Sequence, residues 1–242
     1  MFNKRKIIAI VPARSGSKGL KNKNLKKLIN YPLLAYPIKA AIKSKYIDKI
    51  VVSTDSKKIA KIAKKFGAEV PFLRPKKISR DNSSSFLAIK HCLDFFKNKK
   101  KYFDYVILLE PTSPFTTNED IDKALKKLYK NKKFAHSIVG VSKNINTHPS
   151  FNVKINRNGK IEQYFKKSFI KKYKRRQELA ELYFFDGSLY ISQTNTLLKK
   201  KTFYHNKTLA YITEKWKALE IDDAVDFICA EAIMKKIRKV KK

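Results

Sequence analysis

The stretch IIAIVPARSGSKGLKNKN, residues 7–24, decides the fold of this chain. Its first five residues are β-branched or small and all apolar, which predicts a buried first strand, because strands covered on both faces are apolar at nearly every position. The strand leads into a loop of small residues and cations, whose backbone N–H groups and positive charges suit an anion. A strand followed by such a loop is typical of α/β proteins that hold a nucleotide phosphate at the carboxyl edge of a sheet.

The loop matches neither of the two common phosphate-binding fingerprints. G-x-G-x-x-G and G-x-x-x-x-G-K-[ST] are both absent. The alternative interpretation is a polar connection whose lysines are simply solvated. We favour an anion site, because arginine, serine, glycine and lysine occur together directly after an apolar strand.

Length and composition predict a single globular domain, since 43% of the 242 residues are hydrophobic. No apolar stretch approaches the length of a membrane span and the N-terminus has no apolar signal region, so we expect no membrane association. Cys92 and Cys229 each lie in an apolar helical context, and we expect both to be buried thiols in a reducing cytoplasm.

The net charge of +36 raises the alternative of a charge-driven nucleic-acid-binding protein. Against it, the lysines are dispersed along the whole chain, and arginine, which makes bidentate contacts with phosphates and bases, is scarce. We therefore expect a solvated basic surface and no specific nucleic-acid partner. The charge would still attract anionic substrates.

Strands and helices alternate along the first 142 residues, which predicts a mostly parallel sheet with helices on both faces. Three strand ends carry polar residues: Arg14, Thr54-Asp55 and Glu110. Because parallel strands end at one edge of a sheet, we expect these three ends to converge on a ligand crevice. The predicted strands are 7–12, 49–53, 105–109 and 136–142, and the predicted helices are 32–44, 56–66, 84–97 and 117–130.

The alternation stops at residues 144–180, which we interpret as an excursion from a single domain spanning residues 1–242. Residues 151–155 alternate like a strand, and Asn158-Gly159 favours a hairpin turn. A basic run at 171–176 follows. Regular structure is expected again at 182–191, and a helix at 224–237.

Seven motifs in order carry a resemblance to one family: PARSGSKGLKNKN, VVSTD, AEVPFLRP, LLEPTSP, KRRQEL, DGSLYI and LEIDDAVDF. Together they resemble the acylneuraminate cytidylyltransferases, the synthetases of CMP-sialic acid and related bacterial nonulosonates. The resemblance covers nearly the whole chain. It implies a Rossmann-like nucleotidyltransferase fold and a homodimer formed through an arm. It also implies coupling of CTP to an acidic nine-carbon α-keto sugar, with Mg²⁺ as cofactor and release of pyrophosphate.

The same resemblance assigns roles to the cations of the first loop. Arg14, Ser17 and Lys18 match its triphosphate-binding positions, and Arg14, Lys18 and Lys23 would stabilise the charge of the transferring phosphoryl group. Asn24 lies near the nucleotide. Arg74 matches a position beside the cytosine, although alone it would be interpreted as a surface arginine before a turn proline.

Glu220 and Asp222 match the family's paired acidic metal ligands. Their i, i+2 spacing places both on one face of an extended segment, and carboxylate oxygens suit Mg²⁺. The alternative is a helix cap, and we assign the cap to Asp223. Asp226 is interpreted as a first-turn helix charge.

The resemblance places Glu110, Arg176, Gln177 and Asp186 at the sugar site. Glu110 and Asp186 replace an amide that is usual in the family, and Glu220 replaces an aspartate. One hypothesis is that the two acids select a modified sugar, such as a legionaminate-type nonulosonate carrying an amine or amidine. The alternative is a neutral change at hydrogen-bonding positions.

Three rival interpretations stay open at this point. The chain could be another sugar nucleotidyltransferase, such as a 3-deoxy-manno-octulosonate cytidylyltransferase, although the RRQ and DGS elements favour the nonulosonate side. It could be an inactive relative, because Glu110, Asp186 and Glu220 all depart from the pattern. A charge-driven nucleic-acid binder would bind random nucleic acid in a salt-dependent way and ignore CTP.

Overall fold

The computed structural model describes residues 2, 4–16, 19–144, 148–164 and 179–240. Its centre is a six-stranded sheet in the order β10-β6-β9-β5-β1-β4. The strands are β1 (Ile7–Pro12), β2 (Lys27–Leu28), β3 (Tyr31–Pro32), β4 (Lys49–Ser53), β5 (Tyr105–Leu108), β6 (Ser137–Lys143), β7 (Val153–Ile155), β8 (Ile161–Gln163), β9 (Tyr183–Gln193) and β10 (Thr208–Ile212). The helices are α1 (Ala35–Lys43), α2 (Lys57–Lys65), α3 (Ser85–Asn98), α4 (Asn118–Lys130), α5 (Thr194–Lys200) and α6 (Ala224–Val240).

The sheet is mixed but mostly parallel, as predicted. β1 pairs in parallel with β4 and β5, and β10 pairs in parallel with β6. β9 runs antiparallel between β5 and β6. Because β5, β1 and β4 are adjacent and parallel, their carboxyl ends lie at one edge of the sheet, which confirms the predicted convergence.

Helices cover both faces of the sheet. Ile7, Ala9 and Val11 of β1 face a cluster that includes side chains of α1, α2 and α4. Ile8 and Ile10 face a second cluster, built with α3 and α5. All five residues are fully buried, which is why the strand is apolar at consecutive positions and not at alternate ones.

The predicted helices all exist, with small differences at their ends. α1 begins at Ala35 and not at residue 32, because Tyr31 and Pro32 pair with β2 in a small antiparallel sheet. α4 begins with a capping box, in which the Thr117 hydroxyl accepts from the Asp120 N–H and the Asp120 carboxylate accepts from the Thr117 N–H. α5 and β10 were not predicted.

Part of the excursion is an antiparallel hairpin of β7 and β8. Gly159 adopts a φ of +74° in its turn, which confirms the predicted Asn-Gly signal. Residues 165–178, with the basic run, Arg176 and Gln177, lie outside the described residues. The limits of the domain and of the excursion stay predictions.

A third cluster joins α6 to the region after the first loop, through Leu28, Leu33, Phe115, Ile221 and Phe227. Cys92 is buried, as expected, but Cys229 is exposed, because it lies on the face of α6 that points away from this cluster. The expectation of a second buried thiol was therefore wrong. None of the helices in the described ranges is long and apolar enough to cross a membrane.

Candidate active site

A cavity of about 390 Å³ opens where β1 and β5 end. It lies at the edge of the sheet where polar strand ends were predicted to converge. Its polar and charged lining residues are Arg14, Lys23, Asn24, Arg74, Ser79, Arg80, Ser83, Ser84, Ser85, Glu110, Thr112 and Asp222. The cavity therefore brings cations from the first half of the chain against carboxylates that follow β5 and precede α6.

Asp55 fixes the start of the first loop. The Ser15 N–H donates to Asp55 Oδ1 over 2.8 Å, and the Ser15 hydroxyl donates to Oδ2 over 2.7 Å. Arg14 forms an ion pair with Asp81, and its carbonyl accepts from Asn24 Nδ2 over 2.9 Å. The loop is thus held to the end of β4 on one side and to residues 22–26 on the other. Ser17 and Lys18, also expected here, lie outside the described residues.

Lys23 links the loop to the acidic segment before α6. Its Nζ donates to the carbonyl of Ile221 over 2.8 Å and lies 3.0 Å from Asp222 Oδ1. The backbone at Gly19 also lies close to the backbone of Asp222. Only glycine allows this contact, because a Cβ at position 19 would stand 2.4 Å from the carbonyl oxygen of Asp222. Positions almost 200 residues apart in sequence therefore share one wall of the cavity.

Arg74 is a buried cation, only 6% exposed, that also lines the cavity. Its N–H donates to the Thr54 carbonyl over 2.7 Å, and its Nε donates to the Ser79 hydroxyl over 3.0 Å. Burial lowers the pKa of the Arg74 guanidinium, while the negative charge of Asp55 opposes that shift. A fixed, desolvated guanidinium is suited to a hydrogen-bonding partner that a flexible surface arginine would not hold.

The serine-rich start of α3 also lines the cavity, and sequence reasoning missed it. Ser83, Ser84 and Ser85 all face it, and Ser84 is the N-cap residue, although its side chain makes no capping bond. A helix start offers backbone N–H groups and the positive end of the helix dipole. Three consecutive serines directly before an apolar helical pattern were the signal that could have revealed it.

Glu110 follows β5 and is half-buried at the cavity wall. Its Oε1 accepts from the Ser85 hydroxyl over 3.0 Å. Burial raises the pKa of Glu110 to about 7, and the nearby charge of Glu220 adds to the rise. The Ser85 hydrogen bond, Arg74 and Lys23 act in the other direction without cancelling it. The side chain is therefore available both as an acceptor and, when protonated, as a donor.

Asp186 does not line this cavity, and its expected place at the sugar site stays a prediction. It is 1% exposed, and both of its carboxylate oxygens are occupied. Oδ1 accepts from the Ser188 hydroxyl over 2.6 Å, and Oδ2 accepts from the Ser142 hydroxyl over 2.8 Å and from Thr213. Gly140 leaves it room, since a Cβ there would lie 2.6 Å from Oδ1. The carboxylate braces β9 against β6.

Glu220 and Asp222 flank Ile221, whose side chain is fully buried and whose N–H donates to the Thr112 carbonyl over 2.9 Å. Burial raises the pKa of Glu220, and the charges of Asp222 and Asp186 add to the rise. Within the described ranges no group of three or more metal-ligating side chains occurs. Of the expected pair of carboxylates, Asp222 lines the cavity and Glu220 does not. That donor set fits Mg²⁺, which takes one or two carboxylates together with substrate phosphates and water.

The cap of α6 is formed as predicted. Asp223 Oδ1 accepts from the N–H groups of Val225 and Asp226, over 2.8 and 3.0 Å. Asp226 Oδ2 accepts in return from the N–H groups of Asp222 and Asp223. The carboxylates of Asp223 and Asp226 are therefore both used to cap the helix. Glu220 and Asp222 remain as the candidate metal ligands of this segment.

In a comparison with protein families, residues 8–239 match the cytidylyltransferase family. The chain belongs to the cytidylyltransferase family. Its family match covers every residue of the cavity described above, from Pro12 to Asp222.

Two relatives of the family align with nearly the whole chain. An N-acylneuraminate cytidylyltransferase of Escherichia coli O18:K1:H7 is 38% identical over 240 residues, which are 98% of this chain and 54% of the relative, so the chain spans about half the length of that protein. A CMP-N,N'-diacetyllegionaminic acid synthase of Legionella pneumophila is 34% identical over 230 residues, which are 95% of this chain and 96% of the relative.

Among solved structures, the fold is similar to that of a CMP:2-keto-3-deoxy-manno-octonic acid synthetase complexed with CTP. The two superpose with a TM-score of 0.68 at 15% identity, covering 96% of this chain and 99% of the other. This likeness confirms the Rossmann-like α/β fold.

Proposed function

We propose that this chain is a cytidylyltransferase that activates a nine-carbon α-keto acid sugar with CTP, giving the CMP-sugar and pyrophosphate. The observation that carries the proposal is the cavity itself. The cations Arg14, Lys23 and Arg74 and the carboxylates Glu110 and Asp222 all line it. One set suits a triphosphate, and the other suits a metal ion and a sugar.

The nucleotide would lie between the first loop and the start of α3. Arg14 and Lys23, together with Ser17 and Lys18, would hold the triphosphate. Asn24 and Arg74 would hold the nucleoside, since both are buried and fixed by hydrogen bonds before any ligand arrives. The hydroxyls of Ser83 and Ser84, which also line the cavity, add further donors.

The reaction is an in-line attack of the anomeric hydroxyl oxygen of the sugar on the α-phosphorus of CTP. A new P–O bond forms, the bond to the β-phosphate oxygen breaks, and the hydroxyl proton is lost. Arg14, Lys18 and Lys23 would stabilise the charge on the α-phosphoryl group and on the departing pyrophosphate. Mg²⁺, held by Glu220 and Asp222, would supply further neutralisation of that charge when it is bound.

Glu110 is the candidate for sugar recognition within the described residues. It lines the cavity, and no ion pair between described residues involves it. A carboxylate facing an acidic sugar needs a donor from that sugar, which supports a legionaminate-type substrate with N–H or amine groups at this position. Asp186 braces β9, and its place at the sugar site, like those of Arg176 and Gln177, stays a prediction.

The hairpin supports a homodimer formed through the excursion. Half of the large apolar side chains that are exposed in the described residues lie between positions 151 and 185. They are Phe151, Val153, Ile155, Ile161, Tyr164, Leu182, Tyr183, Phe184 and Phe185. Exposed apolar side chains concentrated in one part of the chain are expected to be covered by a partner. We also infer a cytoplasmic location, where CTP is present and where two free cysteines stay reduced.

The test is pyrophosphate release with CTP and Mg²⁺ against a sugar panel. The panel contains N-acetylneuraminate, N,N'-diacetyllegionaminate, an amidino derivative and 3-deoxy-manno-octulosonate, with ATP, GTP and UTP as nucleotide controls. Turnover with CTP and one nonulosonate is the expected result. Turnover only with the eight-carbon sugar would reassign the substrate. No pyrophosphate release with any sugar, together with no thermal stabilisation by CTP, would overturn the proposal. Salt-sensitive binding of random RNA would then favour the nucleic-acid alternative.

A further inference from the structure

The ion pair between Lys217 and Asp120 is, among the pairs of the described residues, the one in which both side chains are buried, at 9% and 8% exposure. Lys217 Nζ lies 2.9 Å from each oxygen of Asp120. It also lies 3.1 Å from Glu214 Oε1. The pair lies outside the cavity and is not used by the proposed reaction.

The Asp120 carboxylate is held in place by hydrogen bonds that do not involve Lys217. Its Oδ2 accepts from the N–H and hydroxyl of Thr117, over 2.9 and 2.7 Å, as part of the cap of α4. Its Oδ1 accepts from the Tyr211 hydroxyl over 3.0 Å. Asp120 therefore belongs to a rigid helix start, and the lysine is the side chain that is drawn to it.

Lys217 lies on the segment that carries both metal-ligand candidates, three residues before Glu220 and five before Asp222. A short 3-10 turn, Lys215–Ala218, leads into that segment. Beyond it, Lys23 holds the Ile221 carbonyl and Asp222. The segment is thus clamped by one lysine of its own before the carboxylates and by a lysine of the first loop after them.

A buried ion pair is weak evidence for stability, because desolvation of the two charges offsets their attraction. Such a pair can instead contribute structural specificity. A buried lysine that pairs with one particular carboxylate restricts the conformation of the backbone on either side of the lysine. Here the backbone so fixed is the one from which Glu220 and Asp222 project.

We propose that the Lys217–Asp120 ion pair is a positioning contact that sets Glu220 and Asp222 at the geometry a divalent cation requires. The inference rests on the proposed function, since it assumes that these two carboxylates hold the metal. Neither Lys217 nor Asp120 lines the cavity.

The test compares the wild type with Lys217→Met combined with Asp120→Asn, which removes both charges and leaves an oxygen to cap α4. Lys217→Arg is the conservative variant, and Lys49→Met, which removes the lysine paired with Glu69 at the far edge of the sheet, is the matched control. Mn²⁺ binding in the presence of CTP is measured by electron paramagnetic resonance. CTP binding without metal and thermal unfolding are measured in parallel.

The expected result is a folded double variant that binds CTP alone as the wild type does but has a Mn²⁺ dissociation constant raised about tenfold, as for other groups that orient metal ligands. Lys217→Arg restores most of the affinity, and Lys49→Met leaves it unchanged. An unchanged Mn²⁺ affinity in the folded double variant overturns the inference. If the wild type with CTP binds no Mn²⁺, the proposed function itself fails, which is a separate and visible outcome.

Discussion

Gly187 lies directly against the carboxylate of Glu220: a Cβ at Gly187 would stand 1.7 Å from Oε1 and 2.3 Å from Cδ. The residue also has a φ of +67°, in the left-handed region that glycine adopts without strain. The glycine of the DGS motif therefore makes room for a metal-ligand candidate located 33 residues further along the chain.

Gly187→Ala is expected to destabilise the fold by about 1–3 kcal/mol and to displace Glu220. Gly159→Ala is the matched control, because that residue also has a positive φ but a Cβ there would meet nothing within 4 Å. Urea unfolding of both variants separates the two effects. Equal losses of unfolding free energy in the two variants, with unchanged metal affinity in Gly187→Ala, would show that backbone strain alone accounts for the destabilisation.

Glu110→Gln is expected to change the pH dependence of stability. Because burial raises the pKa of Glu110 to about 7 from an ordinary value near 4.5, the folded state binds its proton more tightly than the unfolded state. Ionisation in the folded protein therefore costs stability, and that cost grows as pH rises from about 4.5 to about 7. The free energy of unfolding of the variant should equal that of the wild type near pH 4 and exceed it above pH 7.

The control for this measurement is Glu181→Gln. Its exposed carboxylate has a lowered pKa, chiefly through the Lys143 hydrogen bond, so its removal cannot produce a gain at high pH. A wild type and Glu110→Gln variant with parallel unfolding curves between pH 4 and 8 would show that the carboxyl titrates normally.

Asp186→Asn is expected to lower stability by about 1–3 kcal/mol, because the two carboxylate oxygens accept from three hydroxyl groups and an amide has one acceptor oxygen. The KM for the sugar should stay within twofold of the wild type. Urea unfolding and steady-state kinetics are measured on the same preparation. A raised KM with unchanged stability would place Asp186 at the sugar site.

Arg74→Met is expected to weaken CTP binding by about tenfold or more, the magnitude of a lost hydrogen bond from a charged donor. Isothermal titration with CTP gives the affinity directly. Arg5→Met is the control, because Arg5 forms its ion pair with Asp104 before the first strand, at the other edge of the sheet. A similar loss of affinity in both variants would mean that only the overall positive charge matters.

Ile155→Asp is expected to shift the proposed dimer toward monomer, since Ile155 is 73% exposed on the hairpin. Light scattering after size-exclusion chromatography gives the mass. Ile212→Asp, at an exposed position on the edge strand β10, should leave the mass unchanged. A wild type of monomer mass at micromolar concentration would overturn the dimer.

The strands β1 and β4 could be predicted because most of their residues are apolar and buried. Ile7–Pro12 and Lys49–Ser53 match their predicted limits, since an apolar run bounded by polar residues has one interpretation. α5 and β10 were missed for the opposite reason. α5 has seven residues, and β10 alternates between half-buried and exposed positions without a strong apolar run.

The lining of the cavity could be predicted where its residues follow strand ends or recognisable motifs. Arg14, Lys23 and Arg74 line the cavity as expected. The surroundings of Asp186 could not be predicted, because the hydroxyls that bind it come from Ser142 and Thr213, on parts of the chain with no local signal for one another. The partnership of Lys217 with Asp120 is equally invisible in the sequence, at a separation of 97 residues.

The contact between Lys23 and the Ile221–Asp222 segment has a consequence for protein synthesis. The first loop leaves the ribosome some 200 residues before its partner does. A nascent chain therefore exposes the cationic loop, while the carboxylates that complete the cavity wall have not yet been made. A chain ended after β10 would contain the sequence of all six central strands and of the cationic loop but would lack Asp222, so the residues after β10 are needed to complete the cavity wall.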